Sequence, residues 1–180
     1  MKGRNVFLGY YKDEDATNAT LIDGWLYSGD LGKKDEEGFF HIVGRKKEII
    51  ITAGGKNIAP KNIEAALKNI PVISQAVVIG DRRKFLSALL TVDEAEAQKW
   101  ASENNASVDS LSTNDDFYAQ LSEKIQSEVN SRFAKVEHIR KFKVLPRELS
   151  IDEGELTPTL KIKRRVINTN WADVIESMYE

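Results

Sequence analysis

The chain has 180 residues, 41% of them hydrophobic and 30% charged, enough to bury a core in one domain or in a domain plus a smaller piece. A formal net charge of -2 removes any bulk attraction to nucleic acid or an anionic membrane, so a polyanion site would have to be local. Zero cysteines exclude a disulfide framework, a thiolate nucleophile and a Cys-based zinc site, and no apolar run approaches the roughly 20 residues of a membrane helix or forms a signal peptide, so a soluble globular chain is expected.

Residues 1–46 read as a sparse, β-rich stretch: a β-like start at Val6-Phe7-Leu8, a short helix opened by Asp13, and strands around Leu26-Tyr27 and Phe39–Val43. The polar, glycine-ended run Lys33–Gly38 predicts the hairpin turn between those strands. From Lys47 the pattern is denser. A strand at Glu48–Thr52, a glycine loop and a helix from Pro60 to about Asn69 are expected, with Pro60 in the first turn, where its missing N–H is not needed. Two further strands follow at Ile73–Gly80 and Leu86–Val92, and Ala76-Val77-Val78-Ile79 is apolar enough for burial on both faces. Helices are predicted at Glu94–Asn104 and Asp116–Val136, the second because Phe117, Leu121, Ile125, Val129 and Phe133 form one apolar stripe. A strand at Ile139–Leu145, stopped by Pro146, and a last helix at Val166–Met178 complete an α+β fold, a small mixed sheet with helices packed on it.

Three polar motifs stand in this frame: Tyr27-Ser28-Gly29-Asp30; Gly44-Arg45-Lys46-Lys47-Glu48 running into Gly54-Gly55-Lys56-Asn57; and Thr157-Pro158-Thr159-Leu160-Lys161-Ile162-Lys163-Arg164. Taken alone, each has a bland reading. Asp30 is then a turn or capping residue, Arg45 a solvated charge, Gly54-Gly55 a hairpin turn, and Lys161–Arg165 a basic run facing water. Their chemistry also suits a nucleotide. A carboxylate accepts two hydrogen bonds and so can take both hydroxyls of a ribose. A guanidinium fork suits a diol or a phosphate, and a flexible ammonium can offset the charge of an in-line displacement. A Walker A loop is excluded, because Ile50 and Asn57 stand where it needs glycine and Ser or Thr. His41 and His138 are too few and too far apart for a metal motif or a triad and are read as structural; no metal ligand is assigned. The run His138, Arg140, Lys141, Lys143 is read first as a solvated strand face, with contact to the phosphates of CoA as the alternative.

In order and spacing these motifs resemble the closing motifs of the AMP-forming acyl-CoA synthetases, the adenylate-forming superfamily that includes fatty acyl-CoA ligases, luciferases and peptide-synthetase adenylation domains. The resemblance begins at Gly3-Arg4-Asn5-Val6 and Gly9-Tyr10-Tyr11 and ends at Lys161. The extra residue in Ala53-Gly54-Gly55-Lys56-Asn57 and the run Thr157 to Lys161 look most like the long-chain fatty acyl-CoA ligases. One departure is Leu160, where the usual pattern has glycine before the lysine.

The resemblance implies that residues 1–46 are the end of a large N-terminal adenylation core and 47–180 a C-terminal lid domain. It implies ATP, Mg2+ and CoA as cofactors of a parent long-chain fatty acid–CoA ligase. Asp30 and Arg45 would bind the adenylate ribose, Lys161 would be catalytic in adenylation, Lys47 the hinge, and Gly54 and Gly55 the lining of the CoA pantetheine passage. The chain lacks the family's phosphate loop and its aromatic-Gly-x-Thr-Glu segment, so the isolated residues are expected to be inactive and to hold no Mg2+ ligands. Fatty acid, ATP and coenzyme A would be met through a missing N-terminal domain, without nucleic acid or a transmembrane segment. A cytoplasmic location is expected, peripheral membrane contact being left open. Two alternatives stand beside this reading: a free-standing lid-like binding module, and an acyl-AMP ligase that loads a carrier protein.

Overall fold

In the computed structural model, which describes residues 1–180, Asp13 opens helix α1 (Glu14–Thr20) by accepting the Ala16 N–H at 2.9 Å. The contacts divide the chain into two units, Met1–Ile49 and Ile50–Glu180, and each is described by itself.

In the first unit, β1 (Leu21–Ile22) pairs with β2 (Trp25–Leu26), and β3 (Asp30–Lys34) pairs antiparallel with β4 (Phe40–Arg45). The hairpin therefore differs from the sequence expectation, because Lys33 and Lys34 lie within a strand and the partner of β4 begins at Asp30. The turn starts at Asp35, whose carboxylate accepts the Phe39 N–H at 2.8 Å, and Gly38 supplies a φ of 97°. Asp35 also meets His41 Nε2 at 2.6 Å, which holds its carboxyl below the usual carboxylate range. The expected strand at Val6-Phe7-Leu8 does not form; the chain turns there instead. Gly44 alone in this unit is buried, and Tyr11, Phe39, Phe40 and Ile42 are all exposed, Phe40 to 79%.

The second unit is built on β7 (Ile73–Ile79), β8 (Leu86–Val92) and β9 (Ile139–Val144), in the order β7-β8-β9. The smaller pair β5 (Ile50–Ile51) and β6 (Asn57–Ile58) precedes it, so the strand expected over Glu48–Thr52 shortens to two residues. β7 runs antiparallel to β8 and β9 runs parallel to it, so the sheet is mixed. β8 is central and, but for its last residue, wholly buried, as its unbroken apolar run requires. One face packs under α2 (Pro60–Leu67) and α4 (Asp115–Lys124) through Ile63, Leu67, Phe117 and Leu121. The other packs under α5 (Arg164–Asn170) and α6 (Ala172–Ser177) through Ile167, Ile175 and Met178. Helix α3 (Glu94–Glu103) is capped by Asp93, which accepts the Glu96 N–H.

Two helices are shorter than the sequence predicts. After Lys124 the backbone widens into a π-turn over Ile125–Val129 and then tightens over Asn130–Arg132. Asn130 accounts for this ending: its buried amide accepts the Ile139 N–H at 2.9 Å and donates to the Ile139 carbonyl at 3.0 Å, so it pairs with the start of β9. The last predicted helix is split into α5 and α6 at Trp171. On β9, an edge strand, Arg140, Lys141 and Lys143 are exposed, charges that discourage pairing with another chain.

Gly80 closes β7 where the backbone leaves no room. A Cβ there would stand 2.3 Å from Leu86 Cδ2 and 3.4 Å from Ile50 Cγ2, and Leu86 is itself fully buried. Gly80→Ala is expected to lower the unfolding free energy by about 1–3 kcal/mol, the usual cost of overpacking, as read by urea denaturation; an unchanged midpoint would contradict this packing.

Candidate functional site

Asp30 and Arg45 come together through a defect in a strand. The register sets Gly32 against Ile42 but Leu31 against Gly44, so Val43 bulges and Arg45 is carried opposite Asp30. A continuous ladder would have placed Gly44 there. Gly29, at φ 76°, turns the chain into β3, its carbonyl accepts the Lys46 N–H at 2.8 Å, and Ser28 Oγ accepts the Asp30 N–H at 3.3 Å. Arg45 Nε lies 3.3 Å from Asp30 Oδ1, with side chains 66% and 31% exposed. Such an open pair adds little stability. What it provides is an accessible acceptor beside an accessible donor fork, a set that fits a vicinal diol.

Lys47 lies in a 3-10 turn, Lys46–Glu48, rather than at the start of a strand, and is exposed. Gly54 and Gly55 form the turn between β5 and β6. Thr52 organises it: its N–H donates to the Lys56 carbonyl at 3.0 Å, its carbonyl accepts the Gly55 N–H at 2.8 Å, and its Oγ1 accepts the Lys56 N–H at 3.2 Å. The two glycines differ in what they need. Gly55 has φ 74°, a conformation that disfavours a side chain, whereas Gly54 does not share it. A Cβ on Gly54 would meet only Thr52 Oγ1 at 3.9 Å, and one on Gly55 nothing within 4 Å. A side chain at either glycine would thus enter open space.

Lys161 sits on a tight turn whose ends pair as Leu156 opposite Ile162. Thr157 makes the turn. Its N–H donates to the Lys161 carbonyl at 2.8 Å, its carbonyl accepts the Leu160 N–H at 2.8 Å, and its Oγ1 accepts the Lys161 N–H at 3.0 Å. Leu160 takes φ 58° with its side chain 64% exposed. The departure from glycine is thus one of residue and not of conformation. The backbone adopts the left-handed shape glycine would favour, at a cost of about 1–2 kcal/mol for an L-residue.

The sequence reading missed what fixes this turn. Glu155, 0% exposed, accepts both arms of the Arg147 fork, Nη1 at 2.7 Å and Nη2 at 2.9 Å, with the Ser150 N–H at 3.1 Å and the Trp171 indole N–H at 2.8 Å. Asn170 Nδ2 adds a longer contact at 3.4 Å, and the Arg147 guanidinium lies 4.9 Å from the centre of the Trp171 ring. The Glu155 carbonyl also accepts the Lys163 N–H at 2.8 Å, closing the base of the turn. On the far side, Arg164 pairs with Glu64 of α2 and donates to the Val78 carbonyl at 3.0 Å, while Glu64 accepts the Val78 N–H at 2.8 Å. In the sequence Glu155 is one of three acidic residues in Asp152-Glu153-Gly154-Glu155. Nothing local marked it as buried. His41 and His138 keep structural roles, His138 Nε2 lying 3.1 Å from the Phe133 carbonyl.

Burial pushes the Glu155 carboxyl up, but Arg147, the Ser150 N–H, Trp171 and Asn170 outweigh it and hold it at about 2 against an ordinary 4.5. A depressed folded-state value stabilises above the unfolded one. The contribution is therefore full above pH 4.5 and lost as the pH falls toward 2. It amounts to about 3 kcal/mol, at 1.36 kcal/mol per unit. Glu155→Gln is expected to be destabilised at pH 7 and to show a flatter loss of stability between pH 4.5 and 2, measured by denaturant titration across pH; parallel curves for the two proteins would contradict this.

The family model "AMP-binding enzyme C-terminal domain" matches residues 47–180. The long-chain-fatty-acid–CoA ligase FadD15 of Mycobacterium tuberculosis is 45% identical over 99% of this chain and 30% of its own length. The human long-chain-fatty-acid–CoA ligase ACSBG1 is 38% identical over 99% of this chain and 28% of its own. The chain thus spans less than a third of the length of these curated relatives. Among solved structures, the adenylation domain of a carboxylate reductase from Mycobacterium chelonae shares the fold, with TM-score 0.82 at 21% identity, over 99% of this chain and 27% of that one. The O-succinylbenzoate coenzyme A synthetase of Bacillus subtilis, solved with AMP, matches at TM-score 0.61 and 27% identity over 91% of this chain and 28% of that one.

Proposed function

Since the chain belongs to the family of AMP-binding enzyme C-terminal domains, we propose that it is the C-terminal part of an ATP-dependent long-chain fatty acid–CoA ligase. Residues 1–46 are the closing strands of the adenylation core and 47–180 its lid. The observation that carries the reading is the bulge-built pair Asp30–Arg45, a carboxylate and a fork set side by side as an adenylate ribose requires. The first unit, with no buried side chain and with Phe40 and Ile42 exposed, supports the assignment to a larger core and speaks against a free-standing binding module. The relatives named long-chain-fatty-acid–CoA ligases favour CoA over a carrier protein as acceptor and long-chain fatty acid as substrate. No helix is long and apolar enough to cross a membrane.

In the first half-reaction a fatty acid carboxylate oxygen attacks the α-phosphorus of ATP, and the bond to pyrophosphate breaks. The Lys161 ammonium, exposed at the tip of a turn anchored on both sides, offsets charge on the carboxylate and α-phosphate oxygens. Asp30 and Arg45 hold the ribose. In the second half-reaction the lid turns about Lys47, withdrawing Lys161 and presenting the Gly54–Gly55 turn. The CoA sulfur, its proton lost, attacks the acyl carbonyl, the bond to the adenylate phosphate breaks, and AMP leaves. Since neither φ nor neighbouring atoms demand a glycine at Gly54, its lack of a side chain serves whatever passes close to it, here the pantetheine arm. No group of three or more His, Cys, Asp or Glu side chains comes together in this chain, and the magnesium that accompanies ATP would be held by its phosphates with carboxylates of the preceding core.

In the full-length ligase, Lys161→Ala is expected to slow adenylation by about 10²–10³, the scale for losing one transition-state donor, while sparing thioester formation from supplied acyl-adenylate. Equal losses in pyrophosphate release and in acyl-CoA formation from the adenylate would remove the assigned role. The 180 residues alone are expected to make no acyl-CoA from ATP, fatty acid and CoA. Turnover by the purified chain, followed by thioester formation, would refute the assignment of the rest of the site to a preceding core.

A further inference from the structure

The Gly54–Gly55 turn does not stand on its own strands alone. Its neighbour Ala53 donates its N–H to the Arg83 carbonyl at 2.9 Å. Beside it, the Arg82 N–H donates to the Ile51 carbonyl at 2.7 Å, and Asp81 Oδ1 accepts the Ile51 N–H at 3.1 Å. The β7–β8 turn thus lies along β5 as an irregular third strand. Arg82 takes φ 57° to allow it.

That turn is held in its turn by the end of the chain. The Arg83 guanidinium pairs with Glu176 of α6 and lies 4.7 Å from the centre of the Tyr179 ring. The Tyr179 hydroxyl donates toward the Ile79 and Phe85 carbonyls at 3.2 and 3.3 Å and meets Ser87 Oγ at 2.8 Å, and its ring packs on Phe85 at 4.9 Å. Arg83 is where the two sets of contacts meet, since its carbonyl holds the glycine turn and its side chain holds the C-terminal helix. The lysine turn uses none of these groups, being anchored by Arg147, Trp171 and the Arg164–Glu64 pair.

We infer that Arg83 is a positioning residue for the Gly54–Gly55 turn, bracing it against Glu176 and Tyr179, and that it serves thioester formation and not adenylation. The inference rests on the role proposed above for that turn.

The test is made on the full-length ligase with Arg83→Ala, Glu176→Gln and Gly55→Leu, timing adenylation by pyrophosphate release and thioester formation from supplied acyl-adenylate. Amide hydrogen exchange over residues 50–58 is followed in parallel. Arg83→Ala is expected to lower the rate of thioester formation about tenfold, as a small misplacement of a positioned element does, to leave adenylation within about twofold of the parent, and to speed exchange at Ala53. Glu176→Gln, which keeps the size of the side chain, should shift the same readouts in the same direction, and it carries the test if Arg83→Ala does not fold. Gly55→Leu should slow thioester formation alone. If it does so while the brace variants leave that step unchanged, or if the brace variants slow both steps equally, the inference fails. If Gly55→Leu leaves thioester formation unchanged, the role of the turn itself is wrong; unchanged exchange at Ala53 would then also remove the brace.

Discussion

A carboxylate kept from water is the constraint on which the end of this fold depends. Isolated, the buried Glu155 side chain would be strongly disfavoured in its charged form. It is tolerable only because Arg147, the Ser150 N–H and the Trp171 indole converge on it, and each of those partners is thereby fixed in turn. Arg147 and Ser150 belong to the loop after β9, and Trp171 to the junction between α5 and α6. One charge thus ties the edge of the sheet, the lysine turn and the last helix pair into a single arrangement. Replacing one partner by an apolar group would leave a buried ion uncompensated, which explains why such a cluster acts as a unit.

The two turns for which chemical roles are proposed are both short, both closed by a threonine and both exposed, yet they are anchored differently. Thr52 and Thr157 each use main chain and hydroxyl to make the same kind of loop. The glycine turn leans on the β7–β8 turn, and the lysine turn leans on Glu155 and Arg164. Short, internally bonded turns on separate supports can be exchanged by moving the body that carries them. They need not fold and unfold in each cycle, so no ordering entropy is spent at the chemical step. That arrangement suits an element proposed to serve two half-reactions in succession.

Much of the second unit was legible in the sequence. The apolar runs of β7 and β8, the Pro146 stop after β9 and the Pro60 start of α2 report burial and backbone chemistry that are local, and these elements lie within a residue or so of where they were expected. What escaped was set at a distance. The stripe through Phe133 is apolar because Phe133 does pack on the core, but the helix ends sooner because Asn130 is claimed by Ile139. The last helix breaks at Trp171, whose indole is directed at Glu155, a partner distant from the helix in sequence. The meeting of Asp30 with Arg45 hinges on one bulged residue, Val43, which no periodicity announces. The motifs carry no sign of what holds their residues in place, the bulge at Val43, the hydroxyl of Thr52 and the buried Glu155.

The mixed order of the central sheet bears on how the chain assembles. β7 and β8 are neighbours in sequence and can pair as a hairpin early, whereas β9 reaches its place beside β8 only after α3 and α4 have been threaded between them. Local pairings close small loops and form fast, and the parallel pairing must close a large one. The support of the glycine turn on β7–β8 can thus arise while the rest is still unstructured, but Glu155 cannot be satisfied until Trp171 has arrived. Arg83 in turn finds Glu176 and Tyr179 only after Trp171 has emerged, so during synthesis both turns wait on the last helix pair, and a nascent chain stalled before Trp171 would hold neither in its final support.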